Sequence, residues 1–306
     1  MDIILIVVGL LALLGGGETL VKGAVGLARA LNLSPMVIGL TIVGFGTSLP
    51  ELLTSVTAAL DGAPGVAIGN VVGSNIANIL LILGVAALLS PIAVDRRGFR
   101  RDTTALLLAT AAAIVVMLLG QATRAFGLAL IAGLALYLWI VLRHSDAPEP
   151  DDTPEVALRP GWQSALMFVV GLGITILGAK ALVTGAVAIA ARAGLSEAVI
   201  GLTLVAVGTS LPELVTSIIA ARRNMSDVAL GNILGSNIFN VLGILGVTAV
   251  IAPIPVPAEM VVRDSLVLGA ATLLMVVNCR TGWTVSRIEG AGFLALYCAY
   301  IWLLWP

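Results

Sequence analysis

Residues 46–55 read GTSLPELLTS, and residues 208–217 read GTSLPELVTS. Residues 69–84, GNVVGSNIANILLILG, return as GNILGSNIFNVLGILG at 231–246, and VIGLT at 37–41 returns at 199–203. All three blocks keep one offset of 162 residues, the distance from Gly46 to Gly208, without a gap. The chain is therefore an internal duplication.

Around these blocks the chain is apolar. Of 306 residues 59% are hydrophobic and only 11% charged, and the mean hydropathy is +1.11. A soluble domain carries about 25% charged residues, so this chain cannot cover a water-facing surface. The net charge of -1 and the lack of a basic tract exclude a nucleic-acid binder, and the apolar content excludes a disordered protein. Charges, prolines and turn clusters divide the sequence into ten spans, at roughly 2–31, 35–60, 66–89, 103–120, 125–142, 161–193, 198–221, 227–250, 263–278 and 287–305. The first and sixth exceed the ~30 Å hydrocarbon thickness at about 1.5 Å per residue and must tilt or bend. Gly15-Gly16-Gly17, Gly171 and Gly173 offer bending points. The first apolar stretch has no basic region before it and reads as a span. Cys279 and Cys298 read as unpaired membrane thiols.

The expected fold is an all-α polytopic membrane protein with two five-helix halves, 1–143 and 161–306. They are joined by a cytoplasmic linker at 144–160 with four prolines, five acidic residues and His144. Five spans per half make the second copy enter the membrane in the opposite sense, so the halves are inverted repeats. With both termini outside, cytoplasmic loops hold eleven arginines, and outer loops hold only Arg124, Arg192 and Arg263. Interrupted helices meeting near the midplane are a transporter signature.

Pro50 cannot continue a helix, so the helix opens at Gly46-Thr47-Ser48 and frees backbone carbonyls. Thr47 and Ser48 lie four and three residues before Glu51. The second copy supplies Thr209, Ser210, Pro212 and Glu213. Asn70, Ser74 and Asn78 form one polar stripe at intervals of four residues, repeated by Asn232, Ser236 and Asn240. All these donors are oxygen or amide groups, which suit hard cations such as Ca²⁺ and Na⁺ rather than zinc or copper. A carboxylate at membrane depth costs at least about 2.5–3.5 kcal/mol, so Glu51 and Glu213 call for a compensating cation. Glu18 and Lys180 are equivalent under the offset, and Lys22 is placed to pair with Glu18 along one helix.

At the two motif blocks the sequence resembles the cation/calcium exchanger superfamily, specifically the prokaryotic sodium/calcium exchangers, whose paired alpha repeats they match in order and spacing. The resemblance implies ten helices, both termini outside, and four core helices at 35–60, 66–89, 198–221 and 227–250 around the ion site. It implies that Glu51 and Glu213 are central Ca²⁺ ligands that also serve Na⁺, with Thr47 and Thr209 giving backbone carbonyls. It further implies an inner Na⁺ site of Ser48, Ser74 and the Gly44 carbonyl, and an outer one of Ser210, Ser236 and the Ala206 carbonyl. Asn78 and Asn240 would flank the middle. Several relatives, including potassium-dependent ones, carry aspartate where this chain has Asn240, which argues against K⁺ co-transport. The short linker replaces the family's large calcium-sensing domain.

The implied activity is antiport of three Na⁺ for one Ca²⁺ by alternating access, moving net charge. No cofactor, nucleic acid or obligate protein partner is implied beyond the ions and the lipid bilayer of the inner membrane. A proton/calcium antiporter of the same fold and a cation channel stay open as alternatives. An enzyme does not, because GxSxG with a membrane histidine, HExxH and paired membrane aspartates are all missing.

Overall fold

The computed structural model describes residues 2–143, 160–192 and 206–304. The helices are α1 Asp2–Ala30, α2 Pro35–Thr47, α3 Leu49–Leu60, α4 Pro64–Leu89, α5 Arg96–Leu118, α6 Arg124–Arg143, α7 Gly161–Arg192, α8 Ala206–Thr209, α9 Leu211–Arg222, α10 Ser226–Ile251, α11 Ala258–Arg280 and α12 Arg287–Leu304. Among the described residues eight are continuous helices long and apolar enough to cross a membrane, and α2 with α3 forms a ninth span bent by 43°. The tenth expected span, 198–221, is described only from Ala206 onward. The VIGLT copy at 199–203, His144 and all of the expected linker except Pro160 lie outside the described residues.

The fold is all-α and polytopic, with the two copies facing each other in inverted order. Thr110 and Thr272, equivalent in the two copies, bring their hydroxyls to 3.3 Å. Asn75 Nδ2 donates to the carbonyl of its equivalent, Asn237, at 3.1 Å. Equivalent residues meet where a two-fold relation between the copies passes between them. Two short antiparallel ribbons follow the same relation. β1 Ile92–Ala93 pairs with β4 Thr284–Val285, and β2 Gln121–Ala122 pairs with β3 Ile254–Pro255. Since α5 separates β1 from β2, the ribbons tie the halves together at opposite ends of the bundle.

α4 and α10 form the centre and are buried along most of their length, whereas α1, α6 and α7 expose broad apolar faces. Those exposed leucines, isoleucines and valines are what a helix presents to lipid. α5 and α11 begin several residues before the expected boundaries at 103 and 263. Hydropathy marks where charges thin out, but helical hydrogen bonding continues through Arg96–Arg101 and Glu259–Arg263.

The expected bending points act differently. α1 and α7 run unbroken through their glycines and pack antiparallel along their length. Gly9, Gly16 and Gly23 recur every seven residues in α1, and Gly171, Gly178 and Gly185 do so in α7. A Cβ on Gly16 would stand 2.7 Å from the Thr175 nitrogen, and one on Gly171 would stand 2.4 Å from the Leu20 nitrogen. These glycines let two backbones touch, as small residues do between membrane helices. Gly15 and Gly173 face open space.

This contact generates a stability test. Gly171→Ala adds one carbon against the α1 backbone and is expected to destabilise the solubilised protein by about 1–3 kcal/mol, as overpacking does. Gly173→Ala adds the same carbon where nothing lies within 4 Å, and should leave the melting temperature unchanged or raise it. Equal melting temperatures for both variants would remove the close-packing role.

Candidate functional site

The break between α2 and α3 falls at Ser48, whose backbone (φ -83°, ψ 8°) leaves the helical region. Pro50 then sits in the first turn of α3, where its missing N–H has no helical partner to lose. Ser210 (φ -89°, ψ 8°) repeats the break between α8 and α9, with Pro212 in the new first turn. Glu51 and Glu213 therefore occupy the first turns of α3 and α9, where the helix dipole favours negative charge. Each is 1% exposed.

The copies interlock at the carboxylates. Ser48 Oγ donates to Glu213 Oε1 at 2.9 Å, and Ser210 Oγ donates to Glu51 Oε1 at 3.1 Å. Ser74 Oγ lies 3.5 Å from Ser210 Oγ, and Ser236 Oγ donates to the Gly44 carbonyl at 3.2 Å. These contacts run between the copies, from Ser48 to Glu213, from Ser210 to Glu51 and Ser74, and from Ser236 to Gly44. Ser74 stands with Ser210 beside Glu51, while Ser236 stands with Gly44. Because the helix breaks of the inverted halves face each other, each break serine reaches the opposite copy's glutamate.

Neighbouring amides brace the restarted helices. Asn70 Nδ2 donates to the Glu51 carbonyl at 2.9 Å and to Ser55 Oγ at 2.8 Å. Asn232 Nδ2 repeats this with the Glu213 carbonyl at 3.3 Å and Ser217 Oγ at 2.9 Å. The Thr47 hydroxyl reaches the Val43 carbonyl at 3.1 Å and Asn232 Oδ1 at 3.2 Å. Thr209 closes α8 and Ala206 opens it. Asn78 and Asn240 each begin a π-helical segment, Asn78–Ile82 and Asn240–Leu245, the kind of widened turn found at functional sites. Asn240 Nδ2 donates to Asn75 Oδ1 at 3.0 Å.

Ser55, Ser217, Asn75, Asn237 and the π segments were not read as parts of the site from the sequence. The serines end the duplicated GTSLPEL(L/V)TS blocks and the asparagines sit in the duplicated GSN. The repetition itself was the signal for them.

Among the described residues, several buried polar atoms here have no hydrogen-bond partner: Glu51 Oε2, Glu213 Oε2, Asn240 Oδ1, and both side-chain heteroatoms of Asn78. A buried carboxylate with one oxygen unpartnered is not fully satisfied. Two such carboxylates, surrounded by neutral oxygens, form a cation-shaped electrostatic well. The donor set, carboxylate with hydroxyl, amide and carbonyl oxygen, is that of Ca²⁺ and Na⁺.

Comparison with known proteins agrees with this chemistry. The family described as sodium/calcium exchanger protein matches residues 1–143 and 163–305. The sodium/calcium exchanger MaX1 of Methanosarcina acetivorans is 33% identical over 99% of this chain and 98% of its own. The inner membrane protein YrbG of Escherichia coli is 34% identical over 98% of this chain and 96% of its own. A structure of the sodium-calcium exchanger NCX_Mj, soaked with zero Na⁺ and Ca²⁺, superposes with a TM-score of 0.87 at 36% identity, covering 99% of both chains.

The amide staples can be tested directly. Asn232→Ala leaves a buried carbonyl and the Ser217 hydroxyl without their donor, a loss of about 1–3 kcal/mol. The variant should melt at lower temperature, and added Ca²⁺ should stabilise it less than it stabilises the unmodified chain. Asn70→Ala should behave alike. Full retention of Ca²⁺-dependent stabilisation in both would mean that these asparagines do not position the glutamates.

Proposed function

The chain belongs to the sodium/calcium exchanger protein family, and from that premise we propose that it exchanges Na⁺ for Ca²⁺ across the membrane by alternating access. Its family is one of transporters, and the chain is a multi-pass membrane protein. The observation that carries the reading is the pair of buried glutamates, each held by a serine of the opposite copy.

In this reading Ca²⁺ lies between Glu51 and Glu213, with carbonyl oxygens of Thr47 and Thr209 completing its shell. One Na⁺ site uses Glu51, Ser74, Ser210 and the Ala206 carbonyl. The other uses Glu213, Ser48, Ser236 and the Gly44 carbonyl. The pairings of Ser210 with Glu51 and Ser74, of Ser48 with Glu213 and of Ser236 with Gly44 follow the hydrogen bonds between the copies, and the repeat relation supplies the rest, with Ala206 as the equivalent of Gly44. Asn78 and Asn240 flank the middle. Two carboxylates are neutralised by one Ca²⁺, and three Na⁺ leave a net positive charge. Both cargoes need the same carboxylate pair, so one excludes the other. The charge imbalance makes exchange voltage-sensitive, at about 2.3 kcal/mol per charge per 100 mV. Asn240 in place of an acid removes a charge that K⁺ would need, so transport is independent of K⁺.

The packed α1–α7 pair moves against the core of α2, α3, α4, α9 and α10. The division into 1–143, the linker 144–160 and 161–306 belongs to this proposal. So does a location in the inner membrane with both termini outside, supported by the arginine asymmetry and by the name of the YrbG relative.

Proteoliposomes loaded with Na⁺ and diluted into Na⁺-free, K⁺-free buffer should take up Ca²⁺, faster with a positive interior than with the potential clamped at zero, because three Na⁺ leaving for one Ca²⁺ entering carry a net positive charge outward. Glu51→Gln and Glu213→Gln should each abolish uptake. Undiminished flux in either variant would sink the assignment. Uptake driven only by a pH gradient would move the chain to proton coupling, and unitary currents would make it a channel.

A further inference from the structure

Glu18 of α1 and Lys180 of α7 occupy equivalent positions in the two copies, and so do Arg223 and Asp61. Arg223 caps the C-terminus of α9, and Asp61 caps the C-terminus of α3. The Glu18 carboxylate is ion-paired with the Arg223 guanidinium, and it also accepts from Lys22 at 2.9 Å on its own helix. Applying the repeat relation to Glu18–Arg223 gives Lys180–Asp61, again an opposite-charge pair but with the signs exchanged. Lys180 and Asp61 are both exposed, and neither forms an ion pair among the described residues.

Packing follows the same asymmetry. α1 lies against α9, where a Cβ on Gly17 would meet Ile219 Cδ1 at 2.8 Å and Val215 Cγ1 at 2.9 Å. Val215 is 9% exposed, whereas its equivalent on α3, Leu53, is 69% exposed. Thr57, equivalent to Ile219, is exposed as well. Among the described residues the long-helix pair thus covers the end of α9 that carries Arg223 and leaves the matching face of α3 uncovered.

We propose that these four residues form a reciprocal latch, in which Glu18–Arg223 holds the arrangement seen here and Lys180–Asp61 holds the alternate one. This rests on the alternating-access reading above. Two further features support it. Asp61 puts a negative charge at a helix C-terminus, where the dipole opposes it, whereas Arg223 is favoured at the same position. Lys180 puts a cation within an apolar span, where a cation needs a partner or a wet cavity. Among the described residues neither charge has an ion-pair partner, and each gains one when α7 closes on α3. Because α1 and α7 move as one packed body, closing one latch opens the other. The two pairs therefore bring the two states closer in energy, as exchange in both directions requires.

The test uses the full chain in proteoliposomes with Cys298→Ala, leaving only the buried Cys279. Glu18→Cys/Arg223→Cys and Lys180→Cys/Asp61→Cys are treated with a short bismaleimide, and linked peptides are read by mass spectrometry. Both pairs should link, and each link should stop Na⁺-driven Ca²⁺ uptake. In parallel, Lys180→Glu should slow exchange about three- to fivefold, the scale of an exposed ion pair. Lys180→Glu combined with Asp61→Lys should restore the rate. Linking at 18/223 but never at 61/180 in any mixture of Na⁺ and Ca²⁺ would overturn the latch, as would a double reversal no faster than the single one. Because linking is read without transport, a chain that failed to exchange Na⁺ for Ca²⁺ would overturn the function while the latch was judged separately.

Discussion

Two carboxylates sealed inside a membrane bundle set the terms for the rest of this structure. Glu51 and Glu213 are each 1% exposed, and each accepts on Oε1 the hydroxyl of the opposite copy's break serine while its Oε2 has no partner among the described residues. Desolvated anions of this kind are costly unless something positive approaches. The protein contributes only partial compensation, through the first turns of α3 and α9 with their favourable dipoles and through one serine from each opposite copy. In the proposed function the remainder is left for a cation. A fully satisfied pair would have been more stable and of no use for binding an ion that must leave again.

Every irregularity of the core serves that arrangement. Prolines restart the helices immediately before the glutamates, and Asn70 and Asn232 donate to the glutamates' own backbone carbonyls. π-helical turns begin at Asn78 and Asn240. Small residues let the elements come close enough for the copies to share groups, as where a Cβ on Gly44 would stand 2.9 Å from the Ser236 nitrogen. The same economy of volume joins α1 to α7, giving a rigid two-helix unit set against a core that carries the polar groups.

Much of this was legible in the sequence. The duplication at a fixed offset established two halves, odd span number made them inverted, and GTSLPE with GNxxGSN named nearly every polar group that the structure gathers. Span boundaries were less legible at 103 and 263, because helices extend past the edge of the apolar stretch into charged turns. The role of the glycines was misread. A GGG triplet is compatible with a bend or with close contact, and only the facing helix decides between them.

What the sequence determined by itself is the local chemistry: which helices break, at which residue, and which oxygens stand within one turn of each glutamate. These follow from backbone sterics and from helical periodicity, and both act over a few residues. Which serine meets which glutamate was decided only by the tertiary structure. So were the serine that lies on the Gly44 carbonyl and the flank of the core that the long helices cover. Those are contacts between two near-identical copies, and near-identity makes a within-copy and a between-copy pairing indistinguishable in one dimension. The two-fold crossing of the halves selects the between-copy pairing, and the asymmetric seat of α1 and α7 then makes two chemically equivalent sides unequal.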